Sequence, residues 1–351
     1  MPNPYQSLPD RAFWKRAVAA APEAEVDPAP EAPFPIGRLD RIATAGSCFA
    51  QHISRTLAGQ GYRYLVTEPE PEGGGENYGV FPARFGNIYT ARQLLQTFDR
   101  AYGLFRPLDL AWRREDGALV DPFRPQIQSA GFASEAELLA DRKRHLAAVR
   151  AMFEDCDVLV FTLGLTESWR SARDGAVFPL APGVLGGEPG PDYGFHNLSV
   201  DEVTADLAAF IGKLRMVNPQ VRIILTVSPV PLIATYEPRH VLVSNTWSKA
   251  VLRVAAGQIA AWDAGVCYFP SYEVITGPQA RGRYFAEDLR SVTDAGVARV
   301  MSVFSRHFLG EDAPLPARAS TLAEAPLSEV DQRRFEELAE VVCDEEAIDP
   351  G

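Results

Sequence analysis

The stretch RIATAGSCFAQHI, residues 41–53, puts a cysteine where an apolar strand ends and an amphipathic helix starts. A helix N-terminus presents unpaired N–H groups and the positive end of the helix dipole. A thiol held there ionises more easily, and the thiolate is the attacking form. Cys48 is therefore a candidate nucleophile; the plainer reading is a small buried apolar residue, as most free cysteines are. Cys156, Cys267 and Cys343 stand far from it and from one another, with no CxxC pair, which suits neither a disulfide framework nor a zinc site. Cys156 and Cys267 fall in apolar strands and read as packing. Cys343 shows no sign of activation, and no resolving cysteine lies near Cys48 in the sequence.

Acyl transfer at a thiol needs a base to move protons and donors to hold the developing oxyanion. The chain offers five histidines. His145 and His307 sit within expected helices among charged or aromatic neighbours and read as structural. His52 follows Cys48 by four residues, on the same helix face. His196 and His240 lie in loops after strands. As base, His240 ranks first, His196 second and His52 third. Glu167, just beyond a strand end, is a further acid/base candidate or equally a salt-bridged loop carboxylate. Asn245, Ser248 and Lys249 open a helix at the same edge. They can hold a substrate carboxylate or phosphate, or be a plain N-cap with a surface lysine. Trp169, Trp247, Tyr236 and Tyr272 can stack on a sugar or simply pack.

These residues must be positioned by regular elements, and the apolar pattern supplies them. Strands are expected at 41–45, 62–66, 156–164, 221–227 and 266–269, and helices at 48–60, 90–102, 134–153, 199–217, 246–262 and 293–307. A small hairpin is expected around 112–123, where Asp116-Gly117 marks the turn. A long Gly- and Pro-rich loop spans 165–197. Strands of the buried type alternating with helices predict an α/β fold of three layers, α/β/α, with a parallel sheet of about five strands. Such sheets bind ligands at the strands' carboxyl ends. Gly46-Ser47-Cys48, Gly164-Leu165-Thr166-Glu167, the loop holding His240, and Asp288 all follow strands.

Several segments in this order resemble one family: GSCFA (46–50), FGNIYTARQL (85–94), FTLGLTESW (161–169), TVSPVPL (226–232), SNTWSKAVLR (244–253), YFPSYEVI (268–275) and AEDLRSVTDAGV (286–297). Over roughly residues 35–310 the chain is similar to the GSCFA family, which is related to the SGNH/GDSL esterases and acyltransferases. The resemblance implies an SGNH-like, flavodoxin-like core in which Cys48 takes the place of the nucleophilic serine. It also implies that Gly86, beside Asn87, supplies an oxyanion N–H. Gly164-Leu165-Thr166-Glu167 stands where the SGNH pattern has Gly-x-Asn-Asp, so Thr166 would replace the asparagine donor. The final Asp-x-x-His block reads Asp288-Leu289-Arg290-Ser291. The aspartate stands, to orient a histidine or the local loop or to pair with Arg290 or Lys249, and the histidine is absent.

The net charge of −12 disfavours nucleic acid or an anionic membrane as partner. Twelve acids oppose three arginines from Glu311 to Gly351, so most of the excess lies there. No secretory signal and no membrane-spanning run is read, which makes a cytoplasmic protein the expectation. Three regions are expected: an N-terminal arm (1–40), a GSCFA, SGNH-like domain (41–310) and an acidic, partly disordered tail (311–351). The tail holds a possible short helix around SEVDQRRFEELAEVV, docked by Phe335, Leu338 and Val341. The expected function is an acyl-ester hydrolase or acyltransferase with a cysteine nucleophile, acting on a carbohydrate or other small hydroxylated substrate, without cofactor or metal. The alternative is a catalytically inactive SGNH-like protein that binds a glycan or metabolite.

Overall fold

The computed structural model describes residues 3–72, 74–309 and 343–349. Its elements are β1 (Ile42–Gly46), α1 (Ala50–Gly59), α2 (Ala91–Ala101), β2 (Trp112–Arg113), β3 (Leu119–Val120), α3 (Glu135–Asp155), β4 (Val158–Leu163) and β5 (Glu167–Ser171). There follow β6 (Val177–Phe178), β7 (Tyr193–Asn197), α4 (Val200–Val217), β8 (Arg222–Val227), α5 (Val241–Trp262), β9 (Val266–Phe269), α6 (Ser271–Thr276) and α7 (Asp294–Phe308). The central sheet is parallel, in the order β1-β4-β8-β9. Its residues are buried on both faces, which is why each strand reads as an apolar run.

Alternate side chains feed two cores. Ala43, Ala45, Leu159, Phe161, Leu163, Ile223, Leu225 and Val227 join the core under α2–α5. Ile42, Val158, Val160, Ile224, Cys267 and Phe269 join the core under α1, α6 and α7. The result is a three-layer α/β/α fold, as the alternation of elements requires. Residues 62–66 form less than a full strand: Tyr64 bridges Ile42 in parallel, with Ile42 N–H donating to Arg63 O at 3.0 Å and Leu65 N–H to Ile42 O at 2.8 Å. The sheet is thus four strands with a one-bridge edge.

The structure departs from the sequence pattern in two further places. The expected loop 165–197 contains an antiparallel sheet, ordered β6-β5-β7. β6 is only two residues long, and β5 and β7 bury their residues without a period of two, so none shows the alternation that marks a strand. Helix α5 begins at Val241 instead of near Thr246, because His240 caps it: His240 Nδ1 accepts the Leu242 N–H at 3.1 Å. The exposed Leu242, Val243 and Trp247 hid that first turn. The expected hairpin is present as β2–β3. The expected tail helix lies outside the described residues.

Gly46 closes β1 with φ +136°, and a Cβ there would fall inside contact distance of the Thr162 backbone on β4. Both facts require glycine. Gly46→Ala is expected to destabilise the fold by about 3 kcal/mol or more, read from the denaturation midpoint; an unchanged midpoint would contradict this account of the β1–β4 junction.

Candidate functional site

Three chain segments meet at the carboxyl ends of β1 and β4, held by main-chain hydrogen bonds. Ser47 N–H donates to Thr162 O at 3.0 Å. Ile88 N–H donates to Gly46 O at 2.8 Å, tying the 85–89 loop to the turn that carries Cys48. Gly164 N–H and Leu165 N–H both donate to Tyr89 O, at 2.9 and 3.3 Å. Gly86, with φ +69°, makes the bend that this loop needs. The loop is anchored from behind by buried ions: Glu68 accepts the Arg84 N–H at 2.7 Å, and Arg84 and Arg124 both bond Asp141. Among the described residues, the backbone N–H groups of Cys48 and Gly86 have no main-chain partner.

The site is occupied by the chain's own C-terminal residues. Cys343 Sγ lies 3.5 Å from Cys48 Sγ, although the two are 295 positions apart. Arg290 Nη2 lies 3.7 Å from Cys343 Sγ and donates to Glu345 Oε2 at 2.7 Å. Asn87 Nδ2 donates to Asp344 Oδ2 at 3.1 Å, and the Asn87 backbone N–H also reaches that carboxylate. Cys343, Asp344 and Glu345 are all buried. Hydrogen bonding to Cys343 and burial push the Cys48 thiol well above its ordinary range. The same bond, reinforced by Arg290, pulls Cys343 down. In this docked state negative charge favours Cys343, and Cys48 is the protonated partner. The thiolate expected of a cysteine at a helix start is therefore opposed by the tail.

Lys249 is buried, and its Nζ donates to Gly164 O at 2.6 Å. The reading of it as a surface lysine is thereby corrected. Burial lowers its amine to about 8, although Glu345 and Cys48 nearby favour the charged form. A small cavity here is lined by Ser47, Cys48, Tyr89, Gly164, Ser228, Val230, Pro231, Leu232 and Glu345. Ser47 Oγ and Tyr89 Oη are buried in it with no hydrogen-bond partner among the described residues. Such orphans cost about 1–3 kcal/mol each, a cost a polar ligand would relieve.

None of the five histidines hydrogen-bonds Cys48. His52 packs against Phe49, with ring centroids 5.6 Å apart, and burial lowers it to about 4. His145 bonds Glu68 at 2.8 Å, His196 bonds Glu202 at 2.7 Å and His307 bonds Asp27 at 2.9 Å. His240, ranked first as base, is an exposed helix cap. Asp288 reaches no histidine. Its carboxylate accepts from Ser291 Oγ at 2.5 Å and from the N–H groups of Arg290 and Ser291, each at 2.9 Å. It builds the turn that presents Arg290, with Leu289 left-handed at φ +55°.

Thr166 is committed to structure: its hydroxyl donates to Asn197 Oδ1 at 2.7 Å and its N–H to Ser248 Oγ at 3.0 Å. It has no hydroxyl hydrogen left for an oxyanion. Glu167 accepts from Thr235 Oγ1 and the Tyr236 N–H, and Asn245 accepts the Leu232 N–H. These three hold the loops around the site instead of facing Cys48. The functional groups that sequence reasoning missed are Arg290, Tyr89, Ser47 and the tail residues 343–345. Arg290 had a signal, since it stands one place before the missing histidine. Among the described residues, no cluster of three or more His, Cys, Asp or Glu side chains could hold a metal ion, and no helix is long and apolar enough to cross a membrane.

Two thiols at 3.5 Å predict that a hydroperoxide at low excess joins Cys48 to Cys343 before it modifies Cys156 or Cys267, as read by non-reducing peptide mapping. Preferential loss of the other two thiols would contradict the docked arrangement. Burial raises Asp344 to about 6 despite the Asn87 bonds. Its docked value lies above the ordinary one, so docking takes up a proton: this contribution is complete below about 4 and lost as pH rises past about 6. Asp344→Asn, neutral at every pH, should dock better than wild type at pH 7.5. Iodoacetamide should then label Cys48 several-fold more slowly than in wild type, by a ratio that shrinks steadily as the pH is lowered from about 6 toward about 4; faster labelling at pH 7.5 would contradict the assignment.

No curated protein matches this sequence. Among solved structures, one similar chain is the crystal structure of a serine-to-alanine mutant of an acetyl esterase with an acetate ion. It shares 11% identity at a TM-score of 0.33, over 76% of this chain and 95% of that one. The pattern of the GSCFA family matches residues 41–304, from the first residue before β1 into α7, and the chain belongs to that family.

Proposed function

We propose that this protein is an acyl-ester hydrolase or acyltransferase whose nucleophile is Cys48. One observation carries the reading: a cysteine at the end of β1 lines a small cavity with Ser47 and Tyr89, whose hydroxyls have no partner among the described residues, and a buried lysine lies within electrostatic reach of its sulfur. That combination supplies a nucleophile, oxyanion donors and a proton carrier.

With the tail displaced, neutral Lys249 takes the Cys48 proton as the sulfur–carbon bond forms at an ester or thioester carbonyl. The N–H groups of Cys48 and Gly86 hold the oxyanion. As the carbon–oxygen or carbon–sulfur bond breaks, the Lys249 ammonium returns the proton to the leaving group. Water or a second hydroxyl then attacks the thioester, giving its proton to Lys249 and freeing the Cys48 thiolate, which takes that proton back. A small hydroxylated acceptor such as a carbohydrate suits this chemistry. A lysine so placed takes over the task assigned to a histidine in the SGNH pattern.

The test is turnover of an acetyl thioester by the full chain carrying Glu345→Ala, which loosens the tail. Cys48→Ala in that background should abolish turnover, and Lys249→Gln should lower it by about 10²-fold or more. Because the neutral amine is the base, the rate should climb with pH as Lys249 loses its proton and then level, and Lys249→Gln should lose that limb. Turnover that survives Cys48→Ala would defeat the proposal. A second reading, a binding protein for a glycan or metabolite, is favoured by the commitment of every histidine elsewhere. It predicts no turnover in any variant.

A further inference from the structure

Of the groups around Cys48, Arg290 has the least to do in the scheme above and is the most deliberately built. Asp288 bonds both N–H groups of the following turn, and Leu289 takes a left-handed backbone, so that Arg290 points into the cleft against Cys343 and Glu345. A guanidinium offers a fork: Nε–H and one Nη–H lie parallel and match the two oxygens of a carboxylate. Here the fork is only half used. Nη2 serves both Glu345 and Cys343, while Nε is buried with no partner among the described residues. Glu345 is thus an imperfect occupant, bound by one prong, with a second cation, Lys249, within electrostatic reach. Asp344 beside it rests on Asn87, in the loop that supplies an expected oxyanion donor. The tail lies across the site as a chain of acids.

We propose that Arg290 is the carboxylate-recognition residue of this site, that the substrate it selects carries a free carboxylate near the reacting carbonyl, and that Glu345 is an internal stand-in for that group. A substrate carboxylate would take both Nε and Nη2, displace Glu345 and draw Cys343 off Cys48. Binding of the correct substrate therefore uncovers the nucleophile, and neutral esters, which cannot engage Arg290, leave it covered. Arg290 acts here in binding and positioning and moves no proton. The substrate class rests on the acyl-transfer reading, but the subsite itself does not.

The experiment separates the two by measuring binding in the absence of chemistry. The full chain carrying Cys48→Ala and Glu345→Gln is titrated with succinate, with its neutral diamide and with inorganic phosphate, and followed by calorimetry and thermal shift. Saturable binding of succinate, with the diamide silent and phosphate at least about tenfold weaker, is the expected result. Adding Arg290→Gln should weaken succinate by about tenfold or more, and Arg290→Lys, which keeps the charge but loses the fork, should recover only part of that. With Glu345 intact, succinate should bind more weakly, because the tail competes. Absence of succinate binding in a variant whose thermal unfolding remains cooperative would overturn the proposal. So would binding that Arg290→Gln leaves unchanged, or phosphate binding as tight as succinate. If succinate binds as expected while thioester turnover survives Cys48→Ala, the subsite stands and the nucleophile assignment falls.

Discussion

The site depends on a close backbone approach at the end of the sheet. Gly46 lets β1 press against Thr162 of β4, and from there the carbonyls of Gly46 and Tyr89 collect the N–H groups of two other segments. Three stretches more than thirty residues apart in sequence are fixed to one another by main-chain bonds and not by side chains. Catalytic geometry has to be held within fractions of an ångström, and a parallel sheet edge sewn in this way is rigid enough to hold it. The buried Arg84–Asp141–Arg124–Asp121 chain behind the loop extends that rigidity outward. Breaking such a buried set would strand a charge and cost several kcal/mol.

Onto this frame dock residues 343–345, from the far end of the chain. These three residues meet a thiol, an amide and a guanidinium that belong to three different segments of the frame. Each contact carries an electrostatic cost of burial, and Asp344 in particular is held above its ordinary range. An occupant bound through partly satisfied charges can be displaced by one that satisfies them better. The same contacts set the state of Cys48: while the tail is docked the thiol is protonated and covered, and when it leaves, the helix start regains its influence on the sulfur.

Much of the frame was legible in the sequence. The four buried strands announce themselves as apolar runs, and the turn at Gly46-Ser47-Cys48 stands out because strand and helix adjoin it directly. The buried character of Cys156 and Cys267 also follows from their strands, and burial, joined at Cys156 by the neighbouring Asp157, pushes each to about 12. Short, half-buried strands such as β5 and β7 were not legible, because no apolar period marks them. Nor was the role of His240, since a helix whose first turn is exposed and apolar does not look like one. Lys249 could not be placed by spacing: a lysine on an amphipathic helix reads as solvated unless the other side of the interface is known. Least legible was Cys343, because a contact across 295 positions leaves no local trace.

The most direct measurement is peptide mass spectrometry of the full chain after quenching a reaction with an acyl thioester that carries a free carboxylate, for example a succinyl thioester. The account predicts a succinyl adduct on Cys48, absent from the other three cysteines, lost in Cys48→Ala and much reduced in Arg290→Gln. A succinyl group on Cys343 alone, or no adduct on any cysteine while the thioester is consumed, would contradict it.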